Sequence, residues 1–98
     1  MAKIDEYLEE ILKRGGSDLH VSAGSPPRIR IDGVLVNTEH DVLSPDMTQK
    51  LAYSFLSSDQ VALFEKNLEL DLSFGIDTLG RFRVNVFLQR GTVAAVLR

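Results

Sequence analysis

The chain has 98 residues, 44% of them hydrophobic and 26% charged, with 11 basic against 14 acidic side chains and a net charge of −3. That size supports a single domain with a core of its own, and the acidic balance argues against a generally basic surface that grips nucleic-acid backbones. The absence of cysteine excludes disulfides, thiolate metal sites and cysteine nucleophiles.

The segment from Lys3 to Arg14 places Ile4, Leu8, Ile11 and Leu12 on one helical stripe, with Asp5, Glu6, Glu9, Glu10 and Lys13 opposite. Acids early and bases late suit the helix dipole, and Gly15-Gly16 supplies the stop. The period then falls to two. Leu19 and Val21 alternate with Asp18, His20 and Ser22 up to the breaker run Gly24-Ser25-Pro26-Pro27. Arg28 to Ile31 and Val34 to Val36 read as a hairpin about Asp32-Gly33, a dipeptide that tolerates the positive φ of a type I′ turn.

Ser44-Pro45 marks a helix start, with Met47, Leu51, Ala52, Phe55 and Leu56 expected inward. Ser57 and Gln60 fit a capping box for a second short helix that buries Val61, Phe64 and Leu68. Leu68 to Phe74 and Arg81 to Gln89 then alternate as strands about a Gly75-to-Gly80 loop. Thr92 to Leu97 is apolar at almost every position and is expected to be covered on both faces. No apolar run nears the twenty or so residues that span a bilayer, and no signal-type apolar region opens the chain, so a soluble, intracellular-type domain is expected. The abrupt stop at Arg98 within a buried strand suggests a piece of something longer. The expected fold is α+β: a largely antiparallel sheet of five or six strands with the helices grouped on one face.

Chemistry is sparse. The Walker A spacing is absent, because no glycine precedes a lysine. Asp18 and His20 lie two apart on one strand face, which permits a metal or acid/base pair, but they read better as satisfying backbone groups where helix gives way to sheet. Neither a metal site nor a catalytic residue is assigned. His40 reads as an exposed loop residue. Glu69 and Asp71 share a strand face and are best explained by cross-strand arginines. The constellation that stands out is Arg81 and Arg83 on one strand face, continued by Asn85, Phe87 and Gln89, with Arg90 at the end. Guanidinium groups on a rigid strand suit bidentate recognition of phosphate or carboxylate; pairing with Glu69 and Asp71 is the structural alternative.

Two longer stretches carry a resemblance. Gly16-Ser17-Asp18-Leu19-His20-Val21-Ser22-Ala23-Gly24-Ser25-Pro26-Pro27, running on through Arg28-Ile29-Arg30-Ile31-Asp32-Gly33, and Gly80-Arg81-Phe82-Arg83-Val84-Asn85-Val86-Phe87-Leu88-Gln89-Arg90-Gly91 are similar to the PilT family of type IV pilus retraction (twitching motility) motors. Glu69 to Gly75 resembles it too. The Ser-Asp-Leu-His-Val-Ser-Ala-Gly wording leans toward PilT and leaves its paralogue PilU open. The resemblance implies a PAS-like N-terminal domain of a type II/IV secretion ATPase, preceding a RecA-like domain in a cytoplasmic hexamer that acts at the inner-membrane pilus platform.

In such rings the domain packs on the ATPase domain of the next subunit and swings with nucleotide turnover. On that likeness Arg81, Arg83 and Arg90 are the nucleotide-contacting residues. ATP and Mg would belong to the full-length protein, since the Walker A and B segments, Asp box and His box are missing here. A non-catalytic coupling module is therefore expected, with no nucleic-acid partner. The rival readings are a free-standing PAS-like small-ligand sensor or interaction module, which the apolar core disfavours, and a nucleic-acid-binding domain, which the acidic pI disfavours.

Overall fold

A computed structural model describes residues 3–76 and 79–98. In chain order the elements are α1 (Lys3–Arg14), β1 (Asp18–Val21), β2 (Arg28–Ile31), β3 (Val34–Asn37), α2 (Pro45–Tyr53), α3 (Ser58–Asn67), β4 (Glu69–Ile76), β5 (Gly80–Gln89) and β6 (Thr92–Leu97). The α+β expectation holds, with six strands in one antiparallel sheet of order β3-β2-β1-β6-β5-β4. Two three-stranded meanders, one from each half of the chain, are joined where β1 pairs with β6.

Local chemistry explains the element ends. Ser44 accepts from the Met47 amide at 3.2 Å, with Pro45 in the first turn of α2. Ser57 and Gln60 exchange both bonds of a capping box, at 2.9 and 3.2 Å. Asp32 and Gly33 have φ of 50° and 80°, the pattern of a type I′ turn. Gly16 meets a different demand: a Cβ there would collide with Ile29 Cγ2 and lie 3.1 Å from the Arg30 carbonyl. The link between α1 and β1 passes so close to β2 there that a side chain would force a neighbour to move.

All three helices lie on one face. Ile4, Tyr7, Leu8 and Ile11 of α1, Leu51 and Ala52 of α2 and Phe64 of α3 join Leu19, Val21, Ile29, Val84, Val86, Ala95 and Leu97 in one core. Three side chains expected inward are not. Leu12 (51% exposed), Met47 (36%) and Leu68 (51%) face outward. At 100° per residue Leu12 lies about 80° round α1 from Ile4, and Tyr7 takes the place on the other flank. Met47 is likewise on the wrong side of Thr48, Leu51 and Ala52. Leu68 is the left-handed C-cap of α3, with φ 62°, and so belongs to no stripe.

The final strand is only half as expected. α2 covers one face of β6, and among the described elements no helix or strand covers the other. Ala94 is nonetheless buried there, because it is small and lies opposite the larger Phe87.

The turn between β5 and β6 carries strain. Arg90 has φ 54° and Gly91 φ 79°, so the first central position of a type I′ turn holds an arginine rather than the favoured Asn, Asp or Gly. Replacing Arg90 with Asn is expected to stabilise the fold by about 0.5–1 kcal/mol and raise its thermal midpoint by a few degrees. An unchanged midpoint would show that the turn stores no such cost.

Candidate functional site

The face without helices is where polar chemistry collects. Along β5, Phe82, Val84 and Val86 are buried, whereas Arg81 and Arg83 are exposed and share their side with Asn85, Phe87 and Gln89. β4 sends Glu69, Asp71 and Ser73 to the same side, opposite Phe87, Asn85 and Arg83. The expected pairing of these acids with the arginines does not occur. Asn85 Nδ2 instead donates to Asp71 Oδ1 at 2.7 Å and reaches Glu69 Oε2 at 3.4 Å. Register is the reason: Arg83 and Arg81 stand opposite Ser73 and Gly75, further along the strand than either carboxylate.

The arginines are thereby left unneutralised. Arg81 Nη2 donates to Ser73 Oγ at 3.1 Å, and Arg83 has no ion pair among the described residues. Arg98 belongs with them. Its amide and carbonyl exchange bonds of 2.8 and 3.1 Å with those of Arg83, which sets its exposed side chain beside that arginine on the open face. The sequence reading passed over Arg98, although its alternation with Val96 about buried Leu97 carries the signal. Arg90 stands apart. It occupies the opposite end of β5 from Arg81, about 30 Å away at ~3.3 Å per strand residue. The structure therefore gathers Arg81, Arg83 and Arg98 and leaves Arg90 beside a separate cleft lined by Ala23, Gly24, Pro45, Gln89 and Thr92.

The other half of the open face adds Arg28, Arg30, Asp18 and His20, with His20 directly opposite Arg28 and Asp18 opposite Arg30. Arg30 Nε donates to Asp18 Oδ2 at 3.2 Å, and its Nη1 donates to the Gly33 carbonyl at 3.1 Å. Burial pushes the Asp18 carboxyl up, but hydrogen bonds from Ser17 and Arg30, with the His20 ring close by at 3.6 Å, outweigh that and hold it below its usual range. Burial pushes the His20 imidazole down; Asp18 offsets part of this, while Arg30 and Arg28 reinforce it. His20 is thus favoured neutral at pH 7. Asp18 is a carboxylate clamped by an arginine, and no group of three or more His, Asp or Glu capable of holding a metal ion occurs among the described residues.

His40 departs from its expected exposure. Its Nε2 lies 2.8 Å from Glu10 Oε1, and its ring meets Tyr7 edge-on at 4.7 Å. Glu10 also accepts from Arg14 at 3.0 Å. Burial raises the Glu10 carboxyl, but His40 and Arg14 together bring it below its ordinary value. This cluster fastens α1 to the loop after β3, on the side away from the arginines.

Comparison with known proteins bears on what this face serves. No protein-family model matches the chain. It is 41% identical over 95 residues to the type IV pilus retraction ATPase PilT of Pseudomonas aeruginosa, covering 97% of this chain and 28% of that protein. The solved structure of the pilus retraction motor PilT with bound ADP matches at a TM-score of 0.90 and 45% identity, over 95% of this chain and 27% of that one. In sequence and in fold the chain matches the N-terminal domain of PilT. The type IV pilus ATPase PilU of the same organism is 32% identical over 96 residues, 98% of this chain and 25% of PilU. The chain thus spans about a quarter of the length of the relatives it matches. Its identity to PilT exceeds that to PilU, in keeping with the wording of the Ser17–Gly24 segment. Among the described residues no helix is long and apolar enough to cross a membrane.

Proposed function

We propose that this chain is a non-catalytic coupling domain of a type IV pilus retraction motor. In that reading it works in a hexameric ring beside RecA-like ATPase domains of its own and the neighbouring subunit, in the cytoplasm against the inner-membrane pilus machinery. ATP and Mg are held by the ATPase domain. This domain adds positive charge to the nucleotide's phosphates when it swings in, and withdraws it when it swings out. The observation that carries the reading is the arginine row: Arg81, Arg83 and Arg98 are exposed on one rigid sheet face, while the nearest acids are occupied by Asn85.

Rigidity matters because a guanidinium on β5, a strand paired on both sides within the sheet, meets its phosphate with little ordering cost. Hinge closure about a linker converts the presence or absence of a γ-phosphate into a domain position. The small-ligand sensor is the weaker reading. The buried polar side chains Thr38 and Thr48 donate to the Pro27 and Pro45 carbonyls, at 2.7 and 3.0 Å, rather than toward a ligand space.

The test is a chimera in which this chain replaces the corresponding segment of P. aeruginosa PilT. We expect the chimera to form hexamers, hydrolyse ATP and restore twitching to a strain lacking PilT. A chimera that assembles and folds but neither turns over ATP nor restores movement would sink the proposal.

A further inference from the structure

The open face holds a second feature, separate from the row of Arg81, Arg83 and Arg98. A shallow groove of about 350 Å³ runs along β6. Its floor is the small apolar pair Ala94 and Val96. Phe87, opposite Ala94, flanks one side, and His20, opposite Val96, flanks the other with Arg28 beyond it. Two polar atoms on that second side are sealed from water without a hydrogen-bond partner: His20 Nε2 and Arg28 Nε. The anion nearest His20 is Asp18 Oδ2, but at 3.6 Å it is outside hydrogen-bond reach and already engaged by Arg30. Arg28 has no ion pair among the described residues.

Buried polar groups are nearly always satisfied, and a buried N–H of a charged group without an acceptor is among the costlier exceptions. Two such groups side by side in register, bordering a groove with an apolar floor and an aromatic flank, describe half of an interface. We propose that this groove receives an extended acidic segment of a protein partner. One Asp or Glu carboxylate would pair with Arg28 and His20, and a neighbouring apolar side chain would rest on Ala94 against Phe87.

Charge supports this occupant. Arg28 lines the groove, and Arg30, Arg83 and Arg98 stand beyond its Val96 end with Asp18 as the acid among them, so the face is locally basic on a chain of net charge −3. Arginine and an aromatic around a small-residue floor are also the groups that anchor protein interfaces. A phosphate would meet donors on one side only and leave Ala94 and Phe87 uncovered. A free small carboxylate would do the same. The inference does not depend on nucleotide contact by Arg81 and Arg83.

The probes are capped tripeptides, acetyl-Leu-Glu-Leu-amide and acetyl-Leu-Gln-Leu-amide, titrated into the isotopically labelled 98-residue chain and followed by NMR. The Glu peptide is expected to shift the Arg28 Nε–H and the Ala94 and Val96 amides saturably. The Gln peptide should bind about tenfold more weakly, and Arg28→Gln should reduce the Glu peptide to that level. Equal affinity for the two peptides, which needs no variant to observe, overturns the proposal. So does a response confined to Arg81 and Arg83. Sodium acetate reproducing the whole response would overturn the protein-segment assignment in favour of a small carboxylate. A failed PilT chimera alongside a positive peptide titration would refute the coupling role and leave this groove standing.

Discussion

Arg83→Ala in the PilT chimera is expected to lower ATP turnover by about tenfold, and Arg81→Ala combined with Arg83→Ala by about a hundredfold, with hexamer assembly unchanged. A hydrogen bond to a charged group contributes ~1.5–3 kcal/mol, and about 1.4 kcal/mol in a barrier is a factor of ten. Arg83 has no ion pair to lose among the described residues, and Arg81 gives up a single exposed bond to Ser73. Folding should therefore not suffer. The two guanidinium groups share one strand face, so Arg83→Lys should recover only part of the activity, because a point charge replaces the planar fork. Lys66→Ala, on α3 and so on the covered side of the sheet, serves as the control. Turnover unchanged in the double variant would remove the arginine row from the mechanism.

The largest stability effect falls on α1. Leu8 is fully buried, in the core shared with Leu19, Ile29 and Leu97. Leu8→Ala removes its apolar contacts and leaves a cavity that a packed sheet and helix cannot fill, at a cost of about 3–4 kcal/mol. Against a total stability of roughly 5–15 kcal/mol for a domain, that is a large share. Leu12→Ala, one turn further along, should cost less than about 0.5 kcal/mol because Leu12 is half exposed. Urea unfolding of the two variants checks the contrast: the midpoint should fall sharply for Leu8→Ala and barely for Leu12→Ala. Similar midpoints would mean that α1 is not docked as described.

Leu12 also shows what the sequence could and could not convey. Features set by neighbours in the chain were legible: the Ser57–Gln60 capping box, the Asp32-Gly33 turn, the helix over Lys3–Arg14 and the alternation that puts Arg81 and Arg83 on one face. A hydrophobic stripe fixes a helix's inner side only to within a residue's rotation, which is how Leu12 was counted in and Tyr7 overlooked. Tyr7 gave little sign, standing among acids with a polar hydroxyl.

Distances across the chain were beyond reach. His40 finds Glu10 thirty positions away, and no local pattern records that. The fate of Glu69 and Asp71 depended on register. Parity put them on the arginine face, but the closure of the β4–β5 hairpin at Ile76 and Gly80 decided that they face Phe87 and Asn85. The likeness to PilT was carried by specific wording at both ends of the chain, so it survived these errors.

The join between β1 and β6 has a consequence for the birth of the protein. Leu19 lies beside Leu97, so the sheet's central seam joins the first strand described here to the last. Each meander emerging from the ribosome has an unpaired inner edge until they pair, and α1 has only part of its floor. Assembly must wait for β6, and such distant pairing makes for slow, all-or-none folding. A truncation before Thr92 would leave both inner edges open and the material prone to clumping.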